Sequence, residues 1–151
     1  MLTATKSDKI ELSSEKKTQE LAISFSKNLK VESTVFLHGE IGVGKTTFVR
    51  YLINTLQKEN DLELTEVVSP TFNILNEYQI KQLKINHYDL FRLKTTEELK
   101  NLDMFEDNLN TITLVEWPQI IEKKPKNLIE LFFEYEKDHL SRSIQIKGLN
   151  F

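Results

Sequence analysis

The spacing of apolar residues along this chain predicts two helices in its first 60 positions. In each helix the apolar residues recur three or four positions apart, which places them on one helical face. Ser13 or Ser14 can cap the first helix, and the second is expected to begin near Lys45. The apolar face of the first helix comprises Leu21, Ala22, Phe25 and Leu29, and that of the second Val49, Leu52, Ile53 and Leu56.

Other apolar runs are short and rich in β-branched and aromatic residues, which is typical of strands. Uninterrupted runs at 33–37 and 111–115 predict two buried strands. Alternating segments predict two hairpins, one formed by 72–80 and 83–89, the other by 128–136 and 141–147. The first hairpin is expected to turn around Lys81-Gln82 and the second near Lys137-Asp138. Thr95 followed by Glu98 resembles a capping box and predicts a short helix there.

The order of these elements predicts the fold class. Helix, strand, loop, helix, hairpin, helix, strand and hairpin indicate an α/β protein with a mixed sheet flanked by helices. We expect a P-loop NTPase-like fold of three layers, with a parallel core and antiparallel hairpins. A length of 151 residues without a recognisable linker predicts a single domain over 1–151.

The loop before the second helix carries the strongest chemical signal. Three of the four glycines lie within six residues and fit G-x-x-x-x-G-K-[ST], a loop that wraps a nucleoside triphosphate. Lys45 is expected to reach the β- and γ-phosphates, and the Thr46 hydroxyl to ligate Mg²⁺. The alternative is an ordinary turn with a solvated lysine. The residues predicted to bind the nucleotide here are Gly39, Glu40, Ile41, Gly42, Val43, Gly44, Lys45, Thr46 and Thr47.

Besides the phosphate loop, hydrolysis or transfer of a phosphoryl group needs a carboxylate near the metal ion. Glu116 ends the apolar strand at 111–115 and is the first candidate; the alternative is a surface glutamate after a core strand. Asp89 could orient water or act as a helix cap, and Thr71 could offer its hydroxyl to phosphate or metal. His87 is interpreted as a packed, hydrogen-bonded residue. Lys45, Thr71, Asp89 and Glu116 are thus the catalytic candidates, and Thr46 and Glu116 the metal ligands.

Composition excludes several other classes of function. The chain has no cysteine, which removes disulfides and zinc–thiolate sites and favours a cytoplasmic protein. It has no run of about 18 apolar residues, so no membrane span is expected. A net charge of −3 disfavours nucleic-acid binding by the overall field. Lys123, Lys124 and Lys126 could form a local basic patch, although a solvated loop is the simpler interpretation.

Four motifs, taken in order, resemble one protein family. G-E-I-G-V-G-K-T-T-F, V-S-P-T-F, H-Y-D-L-F-R-L and L-V-E-W-P match the pattern of TsaE, a bacterial ATPase needed to make threonylcarbamoyladenosine in tRNA. The resemblance implies binding of ATP and Mg²⁺ and slow ATP hydrolysis. It also implies association with the TsaD–TsaB heterodimer, which modifies adenosine 37 of tRNAs reading ANN codons, so any contact with tRNA would be indirect.

The resemblance also implies roles for individual residues. Thr46 and Glu116 would flank the magnesium ion, and Asp89 matches the acid of H-x-D-x-[YF]-R. Thr71 matches the family's switch threonine, and Trp117 its aromatic residue next to the metal site. Three further residues would lie on the base side of the nucleotide: Glu15, Thr18 and Arg142.

Two other functions remain open from the sequence. A small-molecule kinase could use the same loop, but it normally closes an arginine-rich lid over the phosphates. The three arginines, Arg50, Arg92 and Arg142, are scattered along the chain. A nucleotide-dependent binding module is the third hypothesis.

Overall fold

A computed structural model describes residues 9–106, 108–137 and 140–148. A single 3₁₀ turn, Pro118–Ile120, follows the fifth strand. The predicted turn near Lys137-Asp138 falls partly outside the described residues. In chain order the elements are β1 Ile10–Glu11, α1 Glu15–Asn28, β2 Thr34–His38, α2 Lys45–Glu59, β3 Leu75–Ile80, β4 Leu83–Asp89, α3 Thr96–Lys100, β5 Thr111–Glu116, β6 Leu128–Tyr135 and β7 Arg142–Lys147.

Seven strands form one mixed sheet in the order β1-β7-β6-β2-β5-β4-β3. The four central strands, β6, β2, β5 and β4, run parallel to one another. The flanking pairs β3–β4, β6–β7 and β1–β7 are antiparallel. The predicted α/β class, with a parallel core and antiparallel hairpins, is confirmed.

The two faces of the sheet are covered differently. Helices α1 and α2 pack on one face, where Phe25 and Phe48 meet edge to face with ring centroids 5.4 Å apart. The other face is covered by the short helix α3, the loop after it and the 3₁₀ turn. Phe36 points to this second face, whereas its neighbours Val35 and Leu37 point to the first, as expected for a strand buried on both sides.

The caps that the sequence predicts are present. The Ser14 hydroxyl accepts a hydrogen bond from the Lys17 backbone N–H at the start of α1. Thr95 and Glu98 form the reciprocal capping box of α3. Each contact satisfies backbone donors that the first helical turn leaves unpaired.

Two strands differ from prediction by more than one residue. The strand expected at 72–80 begins only at Leu75, because Ile74 has a φ of 70° and its N–H bonds back to the carbonyl of Pro70. Strand β1 was not predicted. It has two residues and pairs with Ile144 and Ser143 of β7, at the edge of the sheet. Within the described segments, no helix has the length and apolar character needed to cross a lipid bilayer.

Candidate functional site

A cavity of about 420 Å³ opens where three parallel strands end and helix α2 begins. Strands β2, β5 and β4 are neighbours in the sheet, so their carboxyl ends meet at one edge. In open α/β sheets this edge is where ligands bind. The cavity is lined by Ile41, Gly42, Gly44, Lys45, Thr46, Thr47, Ser69, Thr71, Asp89, Phe91, Glu116 and Trp117.

The loop that joins β2 to α2 adopts a conformation that requires glycine. At Gly39, which has a φ of 148°, an added Cβ would lie 2.8 Å from Val43 Cγ1 and 2.9 Å from the Phe133 carbonyl oxygen. Gly44 has a φ of 115° and precedes α2 without a side-chain capping bond. The first N–H groups of this 15-residue helix therefore face the cavity mouth without a side-chain cap, an arrangement that favours an anion.

Lys45 is buried although it carries a charge. Only 4% of the residue is exposed, and its Nζ donates to the carbonyl of Gly39. The same nitrogen lies 3.6 Å from the centre of the Trp117 ring, a cation–π contact. Burial lowers the pKa of Lys45 from its ordinary value of 10.5, and the charges of Glu116 and Asp89 oppose that shift. An anion in the cavity would give this cation a stronger partner than a carbonyl.

Glu116 lies at the centre of the polar side chains around the cavity. The Thr46 hydroxyl donates to its carboxylate, at 3.2 Å from Oε1 and 3.1 Å from Oε2. His87 Nε2 lies 2.6 Å from the Glu116 Oε2 atom. The sheet register places Glu116 beside Leu37 on one side and Asp89 on the other, so the carboxylate faces the loop that follows β2.

Asp89 organises a different part of the rim. Its Oδ2 accepts hydrogen bonds from the hydroxyls of Ser69 at 3.0 Å and Thr71 at 2.9 Å. Its Oδ1 accepts from the Phe91 backbone N–H at 2.9 Å. Asp89 therefore anchors the Ser69-Pro70-Thr71 segment to the end of β4.

Trp117 is held over the loop by an unusual backbone conformation. Its φ is 58°, in the left-handed region that bulky side chains rarely adopt. The indole lies against the Phe91 ring, with centroids 4.9 Å apart, and it also contacts the Lys45 ammonium. Such outliers persist where the surrounding structure over-determines them, and they cluster at functional sites.

The oxygen ligands suit Mg²⁺ bound together with phosphates. Among the residues that the structure describes, no group of three or more histidine, cysteine, aspartate or glutamate side chains could hold a metal ion unaided. Mg²⁺ normally keeps several waters and takes one or two protein oxygens plus substrate phosphates. Thr46 Oγ1 and the Glu116 carboxylate, in hydrogen-bond contact beside the loop, provide oxygens of that kind. The residues present therefore fit the ion.

The three residues predicted on the base side do not line this cavity. Glu15 pairs with Arg50 at 2.7 Å and accepts a hydrogen bond from the Tyr51 hydroxyl. Thr18 is buried and its hydroxyl donates to the carbonyl of Ser14. Arg142 lies beside the loop, since its Nη1 is 3.9 Å from the position that a Cβ on Gly44 would occupy.

The predicted loop residues divide between cavity and core. Glu40 is exposed beside the mouth, whereas Val43 directs its side chain into the core and is only 1% exposed. The other predicted residues of the loop, except Gly39, line the cavity together with Thr71, Asp89, Glu116 and Trp117. Sequence reasoning did not assign the contact between His87 and Glu116. The alternation of His87 and Asp89 along one strand indicates that their side chains share a face of the sheet, but it does not identify the partner of His87.

Comparison with solved structures supports this architecture. The chain is similar to the crystal structure of YdiB from Bacillus subtilis, with a TM-score of 0.66 and 24% sequence identity over 91% of this chain and 82% of that one. At this identity the likeness establishes the fold. Strand, glycine-rich loop and helix in this order define a P-loop NTPase-like protein.

Sequence comparison identifies the family. The model of the family described as "Threonylcarbamoyl adenosine biosynthesis protein TsaE" matches residues 12–144. The TsaE protein of Rickettsia bellii is 41% identical over 80% of this chain and 81% of its own length. The TsaE protein of a Nostoc species is 32% identical over 99% of this chain and 91% of its own. The chain belongs to the TsaE family, and the predicted resemblance is confirmed.

Proposed function

We propose that this protein binds ATP with Mg²⁺ in the cavity at the start of α2 and hydrolyses it. The observation that carries the proposal is the convergence of a buried cation, a hydroxyl and two carboxylates, contributed by Lys45, Thr46, Asp89 and Glu116, around one glycine-rich loop. The parts match those that P-loop NTPases use for phosphoryl transfer.

Each residue then has a distinct task. Lys45, already desolvated, exchanges the Gly39 carbonyl for the β- and γ-phosphates. Thr46 and Glu116 hold Mg²⁺, which when bound neutralises charge on the phosphate oxygens. Asp89 holds Thr71 and its segment at the rim, where the Thr71 hydroxyl can meet the γ-phosphate or the ion. Trp117 covers the loop and excludes water from the Lys45 contact.

The family supplies the biological setting of the proposal. We place the protein in the cytoplasm as a single domain over 1–151 that serves threonylcarbamoylation of tRNA. ATP hydrolysis would reset the TsaD–TsaB heterodimer between turnovers, and the transfer of threonylcarbamoyl would belong to that heterodimer. Contact with tRNA would be indirect, through the complex.

The positions of the arginines favour an ATPase over a kinase. Arg50 is engaged with Glu15, and Arg92 lies over the Phe72 ring at 5.3 Å. Arg142 lies near Tyr135, 5.9 Å from its ring. Among the residues described as lining the cavity there is no arginine, so nothing there resembles the arginine-rich lid of a small-molecule kinase.

The test is steady-state phosphate release from ATP by this protein alone and with added TsaD–TsaB. We expect release to be faster with the heterodimer, and to be lost in Lys45→Ala. Lys58→Ala removes an exposed lysine from the same helix and serves as the matched control. Equal rates with and without the heterodimer would contradict partner-dependent hydrolysis. A small-molecule acceptor that becomes phosphorylated would favour the kinase instead.

A further inference from the structure

We propose that His87 is a positioning residue, which fixes the orientation of the Glu116 carboxylate so that it can hold the metal ion. The proposal rests on the proposed function, because it concerns the same ion. It assigns a task to a side chain that has none in the proposed binding and hydrolysis of ATP.

The geometry of the pair is specific. His87 is fully buried on β4, on the sheet face covered by α2, and its Nε2 lies 2.6 Å from Glu116 Oε2. A carboxylate that holds a metal ion is ionised and can only accept a hydrogen bond, so in the proposed role His87 donates from Nε2. The other ring nitrogen, Nδ1, is buried and has no hydrogen-bond partner in the described part of the chain.

The unused nitrogen shows that this histidine is a costly choice for a core position. A buried polar atom without a partner destabilises a fold, and an aliphatic side chain would fill the same place without that cost. The neighbouring positions on this face of β4 and β5 include Ile85, Ile112 and Leu114. The hydrogen bond to Glu116 is the contact that an aliphatic residue could not make.

Glu116 needs this second contact because the first does not fix its rotation. Thr46 Oγ1 is almost equally far from the two carboxylate oxygens, at 3.2 and 3.1 Å. A donor placed in this way does not distinguish one oxygen from the other. His87 Nε2 bonds to Oε2 at 2.6 Å, which distinguishes the two oxygens and restricts rotation of the carboxylate. Side chains that orient metal ligands from behind are common, and losing one typically lowers metal affinity or activity about 10- to 100-fold.

The contact concerns Glu116 and not the second carboxylate of the site. Asp89 receives its hydrogen bonds from Ser69, Thr71 and the Phe91 backbone. Replacing His87 should therefore alter the metal-dependent part of nucleotide binding and leave the Asp89 rim intact. This separation makes the proposal testable.

The experiment measures the affinity for ATP by calorimetry, once with Mg²⁺ and once with EDTA. The ratio of the two affinities is the gain from the metal. For His87→Leu we expect that gain to fall about 10-fold, with little change in EDTA. Asn86→Leu is the matched control, because Asn86 is buried at the adjacent position of β4 and points to the opposite face. Its gain should equal that of the unchanged protein.

Two conservative variants separate positioning from packing. The amide nitrogen of glutamine can replace Nε2, whereas asparagine is too short to reach Glu116. We therefore expect His87→Gln to keep most of the metal gain and His87→Asn to lose it, although both are polar. Binding of Mn²⁺ in the presence of ATP, followed by electron paramagnetic resonance, should rank the variants in the same order.

The outcomes distinguish this proposal from the proposed function. If the unchanged protein gains affinity from Mg²⁺ and His87→Leu, His87→Gln and His87→Asn all keep that gain, the positioning role is wrong and the ATP site stands. If His87→Gln loses the gain as fully as His87→Asn, the positioning role is also wrong, because the donor is then not what matters. If the unchanged protein binds no ATP in either condition, both proposals fail.

Discussion

One helix and one face of the sheet form both the hydrophobic core and the candidate site. Towards the middle of the sheet, α2 contributes Phe48 and Leu52 to a hydrophobic cluster that also includes apolar residues of β4 and β5. At the carboxyl ends of the same strands, its first turn presents Lys45 and Thr46 to the cavity that Asp89 and Glu116 also line. Both regions are buried, but only the first uses burial to stabilise the fold.

The difference shows where the structure departs from its most stable arrangement. Burying an apolar side chain contributes roughly 1.5–3 kcal/mol, whereas burying a charge costs free energy unless it is well paired. Lys45 and Glu116 are as inaccessible as Phe48, at 4%, 2% and 1% exposed. Their partners are a carbonyl, a hydroxyl, an indole and an imidazole. Under the proposed function, phosphate and metal would supply the charged partners that these two side chains lack.

The largest effect is expected at the apolar end. Phe48→Ala removes a ring that meets Phe25 and Phe133 edge to face at 5.4 and 5.9 Å. It should lower the free energy of unfolding by about 3–5 kcal/mol, measured by urea denaturation. The ATP affinity of the remaining folded protein should change less than about twofold. A larger loss of affinity would show that the two regions are not separable.

The next effect is expected at the centre of the polar end. Glu116→Ala should retain ATP binding in EDTA but lower the rate of hydrolysis about 100-fold or more, which is about 3 kcal/mol of transition-state stabilisation. Single-turnover phosphate release measures this rate. Glu130→Ala is a suitable control, because Glu130 pairs with His38 and Lys124 away from the cavity. Hydrolysis that survives Glu116→Ala would exclude a metal role for this residue.

Lys45→Met should stabilise the fold and weaken ATP binding. Replacing a buried charge by an apolar chain of similar length should raise the free energy of unfolding by about 1 kcal/mol, while ATP affinity falls at least tenfold. Burial lowers the pKa of Lys45, so the unfolded chain holds this proton more tightly than the folded one. The free energy of unfolding of the unchanged protein, minus that of Lys45→Met, should therefore rise with pH. The rise should begin near the lowered pKa of the folded protein and end near 10.5, the ordinary value. If this difference in the free energy of unfolding stays constant or falls over that pH range, the pKa of Lys45 is not lowered in the folded protein.

The smallest effect is expected at the rim. Asp89→Asn keeps the shape of the side chain but weakens the hydrogen bonds from Ser69 and Thr71. Hydrolysis should slow about 10-fold, and amide hydrogen exchange at 69–74 should become faster. Equal exchange in both proteins would mean that Asp89 does not hold this segment.

Much of the molecule follows from local patterns in the sequence. The glycines, the apolar face of α2 and the capping residues Ser14 and Thr95 each indicate their structure within a few positions. Parallel strands that end in Asp89 and Glu116 bring these carboxylates to one edge, because strand polarity alone places them there. The loop and both acids could be predicted for this reason.

The remaining features depend on contacts between distant segments. The left-handed conformation of Ile74 shortens the predicted strand, and no pattern in the sequence favours it for a β-branched residue. Strand β1 exists only because β7 offers it an edge to pair with. The bond from His87 to Glu116 joins residues 29 positions apart in the chain, so sequence alone could indicate a packed histidine but not its partner.

The fluorescence of Trp117, the only tryptophan of the chain, is the most direct test of whether ATP binds beside Lys45. Its ring contacts Lys45 at 3.6 Å, so an ATP phosphate that draws Lys45 away must change the environment of the indole. We expect a saturable change in fluorescence on titration with ATP and Mg²⁺, shifted to at least tenfold higher ATP concentration in Lys45→Met. No change in fluorescence, together with no heat of binding at the same concentrations, would contradict it.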